Sequence, residues 1–204
     1  MAHPSAKVDR RRLRRNLNRS TSVIYMLDDE LRFTFCNQEW DRFAAANGGV
    51  GLEGAGQLGR CLLDSLSEQL RPFFQSAFQE VRETRQNWEH RYECPSSTLQ
   101  RTFLMVIAPS PEGEGFIVVN SLIVERPHEA KPCSHLENIY ADAEGKITMC
   151  GRCRKSRVLT PETDAEAEWN WVPAHLEGRR AINHVLCATC FNIYYPNLAT
   201  HWSA

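Results

Sequence analysis

No stretch of the 204 residues stays apolar over the roughly 20 positions that a membrane helix needs, so no spanning segment is expected. Net charge is nearly absent as well: 24 Lys and Arg against 25 Asp and Glu leave −1, which argues against a nucleic-acid grip by the whole molecule. The stretch Met1 to Asn18 carries arginines but no apolar core, and it is not expected to act as a signal peptide. Catalytic constellations are missing too. No Ser/His/Asp set, paired carboxylate motif or phosphate loop stands at a convincing spacing, so no enzymatic activity is expected.

What is present is cysteine, eight in all. Four fall into two pairs, Cys150-x-x-Cys153 and Cys187-x-x-Cys190. Two thiolates closing on a tight turn grip one side of a metal ion, and two such knuckles complete a tetrahedron. Cys150, Cys153, Cys187 and Cys190 are therefore the expected ligands of a structural Zn2+. Four thiolates leave no open position, so metal catalysis is not expected. Redox-active dithiols and uncommitted cysteines are the alternatives. His184, three residues before Cys187, can either replace one cysteine or donate a hydrogen bond to a thiolate. Cys133 and His135 are isolated and read as bystanders. Such pairs suit a reducing compartment better than a disulfide scaffold does, and the expected location is the cytoplasm.

The first segment, residues 1–19, is a basic arm or helix: Lys7, Arg10, Arg11, Arg12, Arg14, Arg15 and Arg19 face Asp9 alone. It reads as a solvated helix, with a dimer contact or an arm for an acidic partner as the sharper alternative. Leu13 and Leu17 form a narrow i, i+4 stripe on it. Val23 to Leu27 and Leu31 to Cys36 read as two strands around the polar turn Asp28-Asp29-Glu30. A helix follows from the N-cap Asn37, with Trp40, Phe43 and Ala44 on one face, and ends at Asn47-Gly48-Gly49. The glycine-rich stretch from Gly48 to Gly59 is expected to be a flexible loop. After a helical turn at Cys61 to Leu66 comes a long helix ending near Thr84. There Leu70, Phe73, Phe74, Ala77, Phe78 and Val81 make an apolar stripe, and Pro72 fits the first turn. Three strands complete the region, at Trp88–Tyr92, Phe103–Ala108 and Phe116–Val124.

Strand, strand, helices and three strands make an antiparallel sheet with helices packed on one face, an α+β class. In that order, Ile24-Tyr25-Met26-Leu27-Asp28, Leu31-Arg32-Phe33, Asn37 with Trp40 and Phe43, and Gly59-Arg60 before the short turn resemble a PAS domain over residues 20–125. The resemblance implies a sensory or interaction module that dimerises and has a small pocket, which an unidentified small ligand can occupy. Residues 67–84 contain no histidine, so the haem mode of some relatives is not expected. Cys61 in Gly-Arg-Cys-Leu-Leu lacks the neighbours of the flavin-linking cysteine and reads as a small core residue. His90 reads as a partly exposed strand residue.

Residues 126–139 are polar, contain two prolines and read as a linker. Residues 140–204 then form a small zinc-stabilised domain, because so few aliphatic residues build only a weak core. Cys150-x-x-Cys153 followed by basic residues, Trp169-Asn170-Trp171, and His184-x-x-Cys187-x-x-Cys190 with Tyr195-Pro196 resemble a cysteine-rich module of bacterial PAS-containing signalling proteins. Arg152, Arg154, Lys155 and Arg157 either bind phosphate or soften the charge of the thiolates. Trp169 and Trp171 either stack on a base or cover the small core. The leading expectation is a non-enzymatic bacterial sensory or regulatory protein, a homodimer acting through an unidentified signalling partner rather than through nucleic acid or a membrane. A nucleic-acid-binding regulator and a thiol-based redox sensor are the alternatives.

Overall fold

The computed structural model describes residues 9–49, 51–111, 113–127, 139–159, 167–176 and 181–195. Among them no helix is long and apolar enough to cross a membrane. The chain divides into two compact units. One comprises Met1–Leu66, Phe74–Arg91 and Leu104–Leu122; the other comprises Ser67–Phe73, Tyr92–Phe103 and Ile123–Ala204.

Helix α1 (Arg10–Leu17) is capped by Asp9, whose carboxylate accepts the Arg11 and Arg12 amides at 3.0 and 3.2 Å. Strands β1 (Val23–Leu27) and β2 (Phe33–Cys36) pair antiparallel. The second strand starts two residues later than its alternation predicts. Leu31 takes φ 60° there, outside the extended region, and is held by burial of its side chain to 8 % exposure. A left-handed, non-glycine residue cannot continue a strand.

Helix α2 (Gln38–Ala46) begins at Asn37 as its N-cap, and Asn37 is wholly buried. Its side-chain oxygen accepts the amides of Ile24 and Trp40 at 3.0 and 3.1 Å, while its nitrogen donates to the carbonyls of Leu17 and Ser22 at 3.1 and 2.9 Å. One side chain thus joins the end of α1, the edge of β1 and the start of α2. The stretch expected as a flexible loop instead contains the helical turn α3 (Gly54–Gln57). Gly54 donates its amide to Asp41 at 2.7 Å, and a Cβ at Gly54 would lie 2.5 Å from Cys36 Cβ. At that position glycine serves close approach rather than mobility.

A 3-10 turn (Leu62–Ser65) leads to α4 (Arg71–Thr84), whose Phe74, Ala77, Phe78 and Val81 are buried as the stripe predicts. Strands β3 (Trp88–Glu93), β4 (Leu99–Pro109) and β5 (Phe116–Pro127) complete a sheet ordered β2-β1-β5-β4-β3. The last two run longer than their apolar cores. Paired polar side chains extend them, with Arg101 on Glu125 at 2.8 Å and Arg126 on Gln100 at 2.9 Å. Phe78 meets the Phe116 ring edge-on at 4.9 Å, seating α4 on the sheet. Each such fully buried side chain contributes about 1.5–3 kcal/mol.

The last part of the described chain forms a second sheet from β6 (Ile147–Cys150), β7 (Ser156–Arg157), β8 (Trp169–Asn170) and β9 (Ile182–Val185), ordered β8-β7-β6-β9. Strands β6 and β9 are parallel, with Cys150 opposite Val185. Helix α5 (Ala188–Tyr194) follows. Tyr140, Val158 and Val172 form its small buried cluster, with Ile139 packed against it.

Candidate metal centre

Strand β6 ends on Cys150, and the chain reverses at once. Arg154 donates its amide to the Cys150 carbonyl at 3.0 Å, and Cys150 donates its own to Lys155 at 2.8 Å. Arg154 takes φ 62° to make that turn, which brings Cys153 back beside Cys150. The second pair sits at the start of α5. Cys187 is the N-cap, and its sulfur accepts the Cys190 amide at 3.5 Å. The parallel register sets the two pairs side by side: Gly151 donates to the Val185 carbonyl at 2.8 Å, and Cys187 donates its amide to Cys150 Sγ at 3.5 Å.

The Sγ atoms of Cys150, Cys153, Cys187 and Cys190 all lie within 4.8 Å of one another, and all four residues are buried. Cys153 Sγ and Cys187 Sγ are 3.8 Å apart. Four thiolates held tetrahedrally about 2.3 Å from a metal have an edge of about 3.8 Å. The four cysteines can therefore bind a metal ion.

Proton chemistry agrees with a cation-seeking pocket. Thiols of Cys153, Cys187 and Cys190 donate to the Cys150 sulfur and hold it far below the ordinary thiol range. Cys153 is pushed up by the neighbouring sulfurs of Cys150 and Cys187. Cys190 is pushed up by the neighbouring sulfurs of Cys150, Cys153 and Cys187. Cys187 is raised by its donation to Cys150, yet accepting from Cys153 and Cys190 outweighs that and brings it to about 7. A metal ion bound among these sulfurs would displace their remaining protons.

His184 lies on β9 opposite Met149, is exposed and stands outside the sulfur group. Burial and the Arg154 guanidinium lower its basicity. Cys133 and His135 fall outside the described residues. Arg152 packs its charge against aromatic rings. Its guanidinium lies 4.5 Å from the Tyr92 ring centre and 5.2 Å from that of Tyr194, and its Nε donates to the Tyr194 hydroxyl. Tyr194 in turn meets Phe73 edge-on at 4.6 Å. Trp169 and Trp171 are half-buried.

A Ser156–His175 pair went unnoticed in the sequence: Oγ and Nδ1 are 2.8 Å apart, and His175 meets the Tyr140 ring edge-on at 5.2 Å. Ser156 is 0 % and His175 3 % exposed, so the pair braces the small core instead of meeting a substrate. Elsewhere, Cys61 is half-buried rather than in the core, its thiol donating to the Glu30 carbonyl at 3.8 Å. His90 is half-buried and stacks on Trp88 at 5.5 Å.

The sequence profile of the family described as PAS fold matches residues 17–126. The chain belongs to the PAS-fold family. It is thus a PAS-domain protein of the sensory and regulatory kind, and the PAS match ends before the cysteine pairs. Among solved structures, a phage VqmA–DPO complex is 18 % identical with a TM-score of 0.41, over 55 % of this chain and 51 % of that one. VqmA from Vibrio cholerae is 15 % identical with a TM-score of 0.41, over 55 % and 51 %. The PAS domain of BvgS from Bordetella pertussis is 17 % identical with a TM-score of 0.41, over 57 % and 87 %. The chain thus matches about half the length of the two VqmA structures. No curated protein matches the sequence.

Proposed function

We propose that the chain is a non-enzymatic bacterial regulatory protein. Its PAS domain (residues 20–125) senses a small ligand or mediates homodimerisation. Its C-terminal domain (140–204) is built around a structural Zn2+ for contact with a signalling protein in the cytoplasm. The observation that carries the reading is the buried sulfur tetrad with its 3.8 Å edge. Zinc suits four thiolates, and with Cys150, Cys153, Cys187 and Cys190 all engaged it keeps no position for a substrate. Its role is then to supply folding free energy, on the order of 10 kcal/mol for structural sites. His184, exposed on β9, is left out of the ligand set.

Native mass spectrometry of the freshly purified full chain tests this. The expected species carries one zinc per chain and contains two chains. An added organic mass would identify a PAS ligand. A metal-free chain lighter by two hydrogens per Cys-x-x-Cys pair would overturn the zinc reading in favour of a dithiol redox sensor.

A further inference from the structure

The arginines of α1 crowd positive charge at the start of a helix whose negative charge there is the Asp9 cap. Arg10, Arg11 and Arg12 occupy the first turn, where the helix dipole favours negative charge, and that turn contains no acidic residue. Arg11 and Arg15 are also like charges at i, i+4, a further destabilising arrangement. Among the described residues, the side chains of Arg11, Arg12, Arg15 and Arg19 meet no carboxylate, and all four are exposed. Local rules of this kind are broken most often at functional sites.

The rest of the helix narrows what that counter-charge is. At 100° per residue, Arg11, Arg12 and Arg15 share one face, Arg19 prolongs it just past the helix end, and Leu13 and Leu17 lie opposite. Both leucines are half-buried. Arg14 reaches the Thr34 carbonyl at 3.5 Å and lies 5.5 Å from the Phe35 ring centre. Asn37 fixes the helix end through the Leu17 carbonyl. The apolar stripe is therefore spent on the chain itself. An amphipathic helix that lies on a bilayer needs an apolar stripe to bury. The charged groups that α1 offers outward are guanidinium, the group best shaped for phosphate oxygens.

Charge is also segregated along the sequence. Residues 1–19 contain seven basic residues and one acidic residue, leaving 17 basic and 24 acidic in the remainder. The near-zero total thus conceals a strongly cationic arm on an anionic body. The net negative charge of the body disfavours an extended polyanion contact, which suits a local grip on one stretch of phosphate backbone.

From these observations we infer that the outward face of α1, formed by Arg11, Arg12 and Arg15 with Arg19, is a docking site for the phosphate backbone of double-stranded nucleic acid. Contact is sequence-independent and serves to bring the regulatory protein to a nucleic-acid partner. This goes beyond the sensory and metal-binding reading and does not rest on the cysteines.

The test is fluorescence anisotropy of the full chain with a 25-base-pair DNA of arbitrary sequence across a sodium chloride series. Four phosphate contacts predict a log–log salt slope of about −3.6, a roughly 150-fold loss of affinity between 50 and 200 mM. The variant Arg11→Gln/Arg12→Gln/Arg15→Gln should bring the slope toward about −1, while Arg42→Gln, on α2, should leave it unchanged. Circular dichroism and the melting temperature of the triple variant check its fold, which the loss of like charges should not weaken. No binding at 20 mM salt, or an unaltered slope in the triple variant, would overturn the proposal. So would arginine-dependent capture by phosphatidylserine vesicles or polyglutamate at equal or higher affinity than DNA, which would assign the face to a lipid surface or an acidic protein.

Discussion

Replacing Asn37 by alanine removes four side-chain hydrogen bonds at one fully buried point, and their costs differ. Loss of the cap on the Trp40 amide costs about 1 kcal/mol. Loss of the partner of the Ile24 amide strands a donor beside a 4 % exposed residue, about 1–3 kcal/mol. The Leu17 and Ser22 carbonyls lose their donors in half-buried surroundings, where water recovers part of the loss. The sum is about 3–5 kcal/mol, a large share of the 5–15 kcal/mol typical of a domain. Asn37→Ser keeps a cap but cannot span both sides, and should fall between the two. Urea unfolding followed by tryptophan fluorescence measures the loss. Amide hydrogen exchange at Ile24 should accelerate by roughly 100- to 1,000-fold in the alanine variant. A total cost below about 1 kcal/mol, with Ile24 still protected, would refute the idea that Asn37 bridges three elements and leave it a helix cap only.

Gly115→Ala should destabilise by at least about 2 kcal/mol, because Gly115 sits at φ 78° and its Cβ would fall 2.1 Å from the Leu27 carbonyl oxygen; an unchanged urea midpoint would contradict this. Stability should fall as pH rises above 9. Burial, and then the Asp41 carboxylate, push the Cys36 thiol up to about 12, so the unfolded chain loses that proton first. Urea midpoints at pH 8, 9 and 10 should show a decline that is shallower in Cys36→Ala, and an identical decline in both would count against it. Removing metal with a strong chelator, or making Cys187→Ser, should abolish exchange protection at residues 147–150 and 182–185 together. Retained protection would show that the cysteines are dispensable to that sheet.

The parts legible in the sequence are those set by short-range chemistry. Asn37 and the Asn47-Gly48 end bracket α2 because caps are local. The stripe from Leu70 to Val81 places α4 because burial imposes its period. Cysteine spacing alone selected the four sulfurs that the fold brings together. What escaped depends on distant partners. Strands β7 and β8 span two residues each, too short for any period; β7 is held by β6, and β8 by β7. The aromatic neighbours of Arg152 are separated from it by tens of residues. His184 lies on β9, three residues before Cys187, and its ring does not join the sulfur group.

The centre's place in the second sheet explains why cysteine is used there at all. Strands β6 and β9 are four residues each and parallel, so a long crossover, residues 151–181, must close before they meet. Closing about 30 residues costs roughly 3 kcal/mol in chain entropy before any strand bond forms. The described strands that meet there are short, so each forms few ladder bonds in return. The sulfurs stand where a cross-link is most effective: Cys150 is the last residue of β6, and Cys187 lies two residues past β9 and opens α5. A shared ion at those points would hold both strand ends and the start of the helix at once. The turn that carries Cys153 also carries Arg152, and α5 carries Tyr194, so the same ion would fix the two halves of that cation–aromatic contact. An ion bound there would tie strand ends and helix start together, adding a cross-link to the packing of this small sheet.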